Sequence, residues 1–129
     1  MAHILVIDDS EFDRRMIMRA LHRTDNSLGF EELNNGSGVL ETLESSRPDL
    51  ILLDIRMPGP SGFEVLDTIK GHESFNSCHV VMISGSKAKC DKQMAKEKGA
   101  AAYFPKPNSK AGYMALAEHI SEAYLQIAA

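Results

Sequence analysis

Short runs of apolar residues alternate along this chain with segments in which apolar residues recur every three or four positions. The short runs predict five strands, at 3–8, 29–34, 49–54, 79–84 and 101–104. The segments after them predict five helices, at 10–23, 37–46, 62–70, 87–98 and 109–127. Strands and helices that alternate in this way are typical of an α/β fold, in which helices cover both faces of a parallel sheet.

The composition of each predicted element indicates its place in that fold. The strands at 3–8, 49–54 and 79–84 are apolar almost throughout, so we expect them in the middle of the sheet. The strand at 29–34 mixes apolar and polar residues, which favours a sheet edge. The last helix carries an apolar stripe that we expect in the core: Tyr113, Leu116, Ala117, Ile120, Tyr124 and Ile127.

Two serines predict where helices begin. Ser10 stands at the N-cap position of the first helix, with Asp13 at the third helical position, and Ser61 precedes the third helix, with Glu64 three residues later. A serine hydroxyl at such a position accepts a hydrogen bond from a backbone N–H of the first helical turn. Both serines are therefore predicted N-caps.

Length, charge, apolar runs and cysteine content argue against several classes of protein. A chain of 129 residues suits a single domain, 1–129, and after the fifth helix we expect no output domain. The net charge of −4 argues against nucleic acid as a direct partner. No apolar run approaches the roughly 18 residues of a membrane-spanning helix. Two cysteines without metal-ligand spacing indicate reduced thiols, and so we expect a cytoplasmic protein.

Polar residues fall at the carboxyl ends of several predicted strands. Asp8 and Asp9 end the first strand, Asp54 the third and Ser84 the fourth, and Lys106 lies just past the fifth. In an open α/β sheet, ligands bind outside these strand ends. Three carboxylates in one small pocket need a compensating cation, and Mg²⁺ prefers oxygen ligands of this kind.

The same set of side chains has the composition that phosphoryl transfer requires. A metal ion and a lysine neutralise phosphoryl oxygens, a hydroxyl donates to another, and a carboxylate can attack phosphorus. Each residue taken singly has a structural explanation, such as helix capping by Asp8 or a solvated Lys106. Their placement at the same end of different strands favours a functional site.

The sequence resembles the receiver domain of two-component response regulators along its whole length. The matching segments, in order, are "VIDDS", "LLDIRMPGPSGFEVL", "VVMISGS" and "AAYFPKP". The resemblance implies a flavodoxin-like sheet with strand order 2-1-3-4-5. It also implies a phosphoprotein of two-component signalling that switches between two states and is not an enzyme acting on a separate substrate.

The resemblance assigns a role to each polar residue at the strand ends. Asp54 is implied to be the phosphoacceptor, with Lys106 and Ser84 contacting its phosphoryl group. Asp9 is implied to bind Mg²⁺ directly and Asp8 to bind it through a water, with Asp54 as a further ligand.

Three more positions carry implied features of the family. The backbone carbonyl of Arg56 is implied to be another Mg²⁺ ligand. With Ser84, Tyr103 is implied to form the conformational switch. A cis peptide bond is implied before Pro107.

The resemblance also implies the partners of such a domain. The phosphodonor is a histidine kinase or a histidine phosphotransfer protein. The downstream target binds the fourth helix, the fifth strand and the fifth helix, where a homodimer can also form.

The segment 87–98 carries five lysines and two acids, a charge of +3. This segment is either a solvated helix face or a contact for an acidic partner.

Two other functions share parts of this pattern. A Mg²⁺-dependent aspartate phosphohydrolase also places its nucleophile at a strand end, but it usually has a second aspartate two residues later, where this chain has Arg56. Such an enzyme also needs a cap domain or a larger pocket. A receiver-like adaptor that is never phosphorylated would not require the complete acidic set.

Overall fold

Five strands and five helices alternate in the computed structural model, which describes residues 2–85 and 88–125. The elements are β1 (His3–Ile7), α1 (Glu11–Thr24), β2 (Gly29–Leu33), α2 (Val39–Ser46), β3 (Leu50–Leu53), α3 (Gly62–Lys70), β4 (His79–Ser84), α4 (Lys89–Glu97), β5 (Ala102–Pro105) and α5 (Lys110–Ile120). The strands form one parallel sheet in the order β2-β1-β3-β4-β5. The flavodoxin-like α/β fold is confirmed, as are the edge position of β2 and the central positions of β1, β3 and β4.

The sheet separates two apolar cores because successive strand side chains point to opposite faces. On β1, Ile4 and Val6 pack with α1 and α5, whereas Leu5 and Ile7 pack with α2, α3 and α4. The predicted stripe of α5 belongs to the first core: Tyr113, Leu116, Ala117 and Ile120 are buried, and Tyr124 packs against them. Burial on both faces explains why the central strands are apolar throughout.

Serine side chains cap the N-termini of three helices. The Ser10 hydroxyl accepts a hydrogen bond from the Asp13 N–H at 3.2 Å, and the Ser61 hydroxyl accepts one from the Glu64 N–H at 3.3 Å. Both predicted N-caps are confirmed. Ser109 caps α5 in the same way, through the N–H of Gly112.

The start of α2 and the end of α5 differ from the predicted bounds. α2 begins at Val39 and not at 37, because Gly38 before it has a φ of 71°, in the left-handed region. α5 ends at Ile120 and continues as a π-helical turn, Ser121–Leu125.

Two further predictions concern residues outside the described part of the chain. Ile127 lies outside the described residues. So does Lys87, at the predicted start of the fourth helix, and the described α4 begins at Lys89. No helix in the described part of the chain is long and apolar enough to span a membrane.

Candidate functional site

Three carboxylates meet at the carboxyl edge of the sheet. Asp8 follows β1 and Asp54 follows β3, and hydrogen bonding of the Asp54 N–H to the Ile7 carbonyl at 2.9 Å holds the two strand ends together. Asp8 and Asp54 are buried, whereas Asp9 is exposed. Each of these three residues has one carboxylate oxygen that lies within 4.8 Å of a carboxylate oxygen of each of the other two. The structure therefore brings together the acids that the sequence placed at one rim.

The two oxygens of Asp54 have different surroundings. Oδ1 accepts a hydrogen bond from the N–H of Ile55 at 2.9 Å, while Oδ2 lies 3.4 Å from the Lys106 Nζ. This backbone bond fixes the carboxylate plane. Oδ2 is thereby directed to the side of the site where the ammonium lies.

The loop after Asp54 is closed by Gly62, the first residue of α3. The Gly62 N–H donates to the Ile55 carbonyl at 2.7 Å, so α3 begins directly against the backbone of the acid. A Cβ atom at this position would lie 2.0 Å from the Asp54 carbonyl oxygen. Only glycine permits this approach.

Lys106 is held at the rim by its own backbone and by its ammonium. Its N–H donates to the Ser84 carbonyl at 2.7 Å, which places it at the end of β5. Its Nζ lies 2.7 Å from Asp13 Oδ2, 2.9 Å from Asp8 Oδ2 and 3.4 Å from Asp54 Oδ2. One ammonium thus faces three carboxylates.

Asp13 is a site residue that the sequence analysis missed. It was assigned only to the first turn of the first helix, next to the Ser10 cap. The available signal was geometric, since the first turn of a helix that starts at the end of β1 lies beside the same rim. Asp13 therefore adds a fourth carboxylate to the predicted set.

Arg14 is the second missed residue. Its Nη1 donates to the backbone carbonyl of Asp8 at 2.6 Å, and its Nε pairs with Glu32 at 2.8 Å. The guanidinium thus links the end of β1 to β2. Its contact with the site is through the backbone and leaves the Asp8 carboxylate free for other partners.

Burial dominates the electrostatics of the site. It raises the pKa of Asp8 to about 6, although the Ser10 N–H and Lys106 stabilise the ionised form. Burial also raises the pKa of Asp54, against the opposing charge of Lys106. Burial alone would lower the pKa of Lys106, but its hydrogen bonds to Asp13 and Asp8 outweigh it and raise that pKa. A bound cation would relieve the unfavourable ionisation of both acids.

The remaining predicted residues surround this cluster at different depths. Ser84 is only 1% exposed at the end of β4 and pairs in register with Pro105. Tyr103 lies half-buried on β5 and packs against the core that contains α4. The Arg56 side chain is exposed, and its Nη2 lies 3.8 Å from Asp91 of α4.

One implied backbone feature is wrong. No peptide bond of the described residues is cis, so the bond before Pro107 is trans. Trans is the lower-energy form of such a bond by about 0.5–1 kcal/mol.

The donor set fits a hard divalent cation. All three acids of the cluster offer oxygen, and the exposed Asp9 leaves one side of the cluster open to solvent. Mg²⁺ is bound in proteins by one or two carboxylates and usually keeps several waters. The residues present therefore suit Mg²⁺, and neither cysteine lies in the cluster.

Comparison with known proteins decides the family. The family model described as "Response regulator receiver domain" matches residues 4–118, which is most of the chain. The chain belongs to the response regulator receiver family. Receiver domains act as signalling switches, bind Mg²⁺ at an acidic pocket, and interact with histidine kinases and downstream targets.

Individual relatives agree with this assignment. The two-component response regulator ARR8 of Arabidopsis thaliana is 31% identical over 96% of the chain, which spans only 63% of ARR8. The polar-differentiation response regulator DivK of Brucella ovis is 30% identical over 82% of the chain and 85% of DivK. The crystal structure of the phosphorylated cyanobacterial phytochrome response regulator RcpA superposes with a TM-score of 0.90 at 27% identity, covering 99% of this chain and 96% of RcpA.

Proposed function

We propose that this receiver domain accepts a phosphoryl group on Asp54 from a histidine kinase or a histidine phosphotransfer protein, in a reaction that depends on Mg²⁺. The observation that carries the proposal is the position of Asp54 Oδ2, which faces the Lys106 ammonium at 3.4 Å beside two further carboxylates. The phosphorylated relative RcpA supports it.

The proposed transfer exchanges one bond to phosphorus for another. Asp54 Oδ2 attacks the phosphorus of the donor phosphohistidine, an O–P bond forms, the N–P bond breaks, and the imidazole leaves and takes up a proton from solvent. Mg²⁺ would be held by Asp9, Asp54 and the Arg56 carbonyl, with Asp8 contributing through a water, and supplies charge neutralisation at the phosphoryl oxygens.

The side chains of the chain have separate tasks in this proposal. Lys106 donates hydrogen bonds to the transferred phosphoryl group, and Ser84, at the end of the neighbouring strand, supplies a hydroxyl donor. Asp54 itself must be ionised to attack. Its position beside Lys106 offsets part of the effect of burial on its pKa.

Chemical phosphorylation tests this proposal without a partner protein. Incubation with acetyl phosphate and Mg²⁺ is expected to add one phosphoryl group, detected by intact-protein mass spectrometry, and Asp54→Asn is expected to remove the modification. Asp49→Asn is a matched control, because Asp49 lies at the other end of β3 and accepts from the His3 N–H. An unmodified wild-type protein, or equal modification of Asp54→Asn, contradicts the proposal.

We propose further that phosphorylation is transmitted to a protein-binding surface on α4, β5 and α5. Ser84 moves toward the phosphoryl group, and Tyr103 turns inward into the space that this movement opens. A few charge-assisted hydrogen bonds of about 1.5–3 kcal/mol each are sufficient for a large population shift. The proposal is supported by the packing of Tyr103, which contacts the core and lines a groove of about 540 Å³ along α4.

The charge of this groove favours an acidic downstream partner. Lys89, Lys92 and Lys96 line it beside Tyr103. Reversal of Lys89 and Lys92 to glutamate is expected to weaken binding of the phosphorylated protein to its target, and the loss should shrink as salt rises. Unchanged affinity in titrations with the target would place its contacts elsewhere.

A further inference from the structure

The shortest ion pair of the acidic site is made by a residue for which the proposed reaction has no role. Asp13 Oδ2 lies 2.7 Å from the Lys106 Nζ, closer than Asp8 at 2.9 Å and Asp54 at 3.4 Å. An ammonium group has three N–H donors, so the three carboxylates can occupy all of them. A phosphoryl group on Asp54 therefore has to compete for Lys106.

Asp13 is well placed to hold the lysine. Its N–H donates to the Ser10 hydroxyl in the first turn of α1, which fixes its backbone. Its side chain is 23% exposed and borders a small cavity together with Asp8, Asp54 and the buried Tyr113. An ion pair in such partly buried surroundings is screened less by salt than one on the open surface.

We propose that Asp13 is a positioning residue that draws the Lys106 ammonium toward α1 and so lowers the affinity of the site for a phosphoryl group on Asp54. The inference rests on the proposed function and concerns its regulation.

Two effects of Asp13 act in this same direction. Its carboxylate competes with phosphoryl oxygens as an acceptor for Lys106, and its negative charge repels the incoming anionic group. The affinity for Mg²⁺ should change in the opposite direction, because every negative charge near the acidic cluster favours binding of a divalent cation. Removal of the Asp13 charge should therefore strengthen anion binding and weaken Mg²⁺ binding. General damage to the site would weaken both.

Fluoroberyllate, an anion with the shape of a phosphoryl group, provides the test. Its affinity is measured by calorimetry at saturating Mg²⁺, and Mg²⁺ affinity is measured separately. Asp13→Asn is expected to tighten fluoroberyllate binding by about tenfold, equivalent to about 1.4 kcal/mol, and to weaken Mg²⁺ binding. Asp13→Glu, which restores the charge, is expected to return both affinities toward wild type.

Glu11→Gln is the matched control. It removes one negative charge from the same helical turn, but the Glu11 side chain is 65% exposed and pairs with Arg15. It is expected to change neither affinity. Comparable thermal melting of the variants establishes that each is folded.

The outcomes separate this inference from the proposed function. If the wild-type protein binds no fluoroberyllate, the proposed function fails and the inference fails with it. If the wild type binds fluoroberyllate but Asp13→Asn does not bind it more tightly, or binds it with the same affinity as Glu11→Gln, the inference alone is overturned. Opposite shifts for anion and metal in Asp13→Asn support it.

Discussion

Asp8 is a buried acid whose ionised form is disfavoured by its surroundings. It is 7% exposed, and burial raises its pKa from the ordinary 3.8 to about 6. Between these two values the folded protein holds a proton that the unfolded chain has lost. Stability of the metal-free protein therefore falls as the pH rises through this window.

Asp8→Asn should remove the contribution of Asp8 to this pH dependence. At pH 7.5 in EDTA, the variant is expected to be more stable than wild type by about 1–3 kcal/mol, since one pKa unit corresponds to about 1.36 kcal/mol. The gain should shrink toward pH 4, where Asp8 is protonated in the folded wild type. Urea unfolding across this pH range measures the difference. Asp9→Asn is the exposed control, and an Asp8→Asn protein less stable than wild type at pH 7.5 contradicts the argument.

At this scale the sequence predicts some residues of the site better than others. Asp8, Asp9, Asp54 and Lys106 were predictable, because strand ends can be located from apolar runs and parallel strands end at one rim. Asp13 was not, since its importance depends on where a helical side chain points after the chain has turned. Its contact with Lys106 spans 93 residues of sequence and exists only in the folded protein.

Among the structural elements, the junction of β3 and α3 packs directly against the backbone of the site. Gly62→Ala would place a methyl group against the Asp54 carbonyl and the Ile55 Cα, at 2.0 and 2.7 Å. Backbone atoms cannot turn aside as a side chain does. We expect the start of α3 to shift, at a cost of about 1–3 kcal/mol in the free energy of unfolding.

Gly85→Ala is the matched control for this substitution. Gly85 also follows a strand at the same rim, but a Cβ atom there meets no atom of the described residues within 4 Å. Denaturant unfolding of the two variants should therefore show a loss for Gly62→Ala that Gly85→Ala lacks. Equal unfolding free energies would show that the junction tolerates a side chain.

Element prediction succeeded where a local signal marks the boundary. Ser10 and Ser61 gave the starts of α1 and α3, because a capping hydroxyl is a short-range interaction. The end of α5 was misplaced, since apolar periodicity continues past Ile120 while the backbone changes to a π-helical turn. At that point the hydroxyls of Ser121 and Thr24 hydrogen-bond at 2.7 Å, a long-range contact that periodicity does not encode.

For the whole molecule, the acidic site is a cluster of negative charges whose mutual repulsion a bound cation would relieve. The chain has a net charge of −4. Within the described residues, Lys106 is the lysine that pairs with the acidic cluster. A ligand that binds the folded state alone stabilises it in proportion to the logarithm of its concentration. Binding of Mg²⁺ should therefore appear in the stability of the entire domain.

Thermal unfolding in increasing Mg²⁺ measures this linkage. Above the dissociation constant, each tenfold rise in Mg²⁺ is expected to add about 1.4 kcal/mol, which for a domain of this size raises Tm by about 5 °C. EDTA should reverse the rise, and Asp9→Asn should shift it to higher Mg²⁺ because a ligand is lost. Potassium chloride at matched ionic strength separates binding from screening of the net negative charge. A rise of the same size in potassium chloride, or one that Asp9→Asn leaves unchanged, would mean that the carboxylates do not bind the metal as a group.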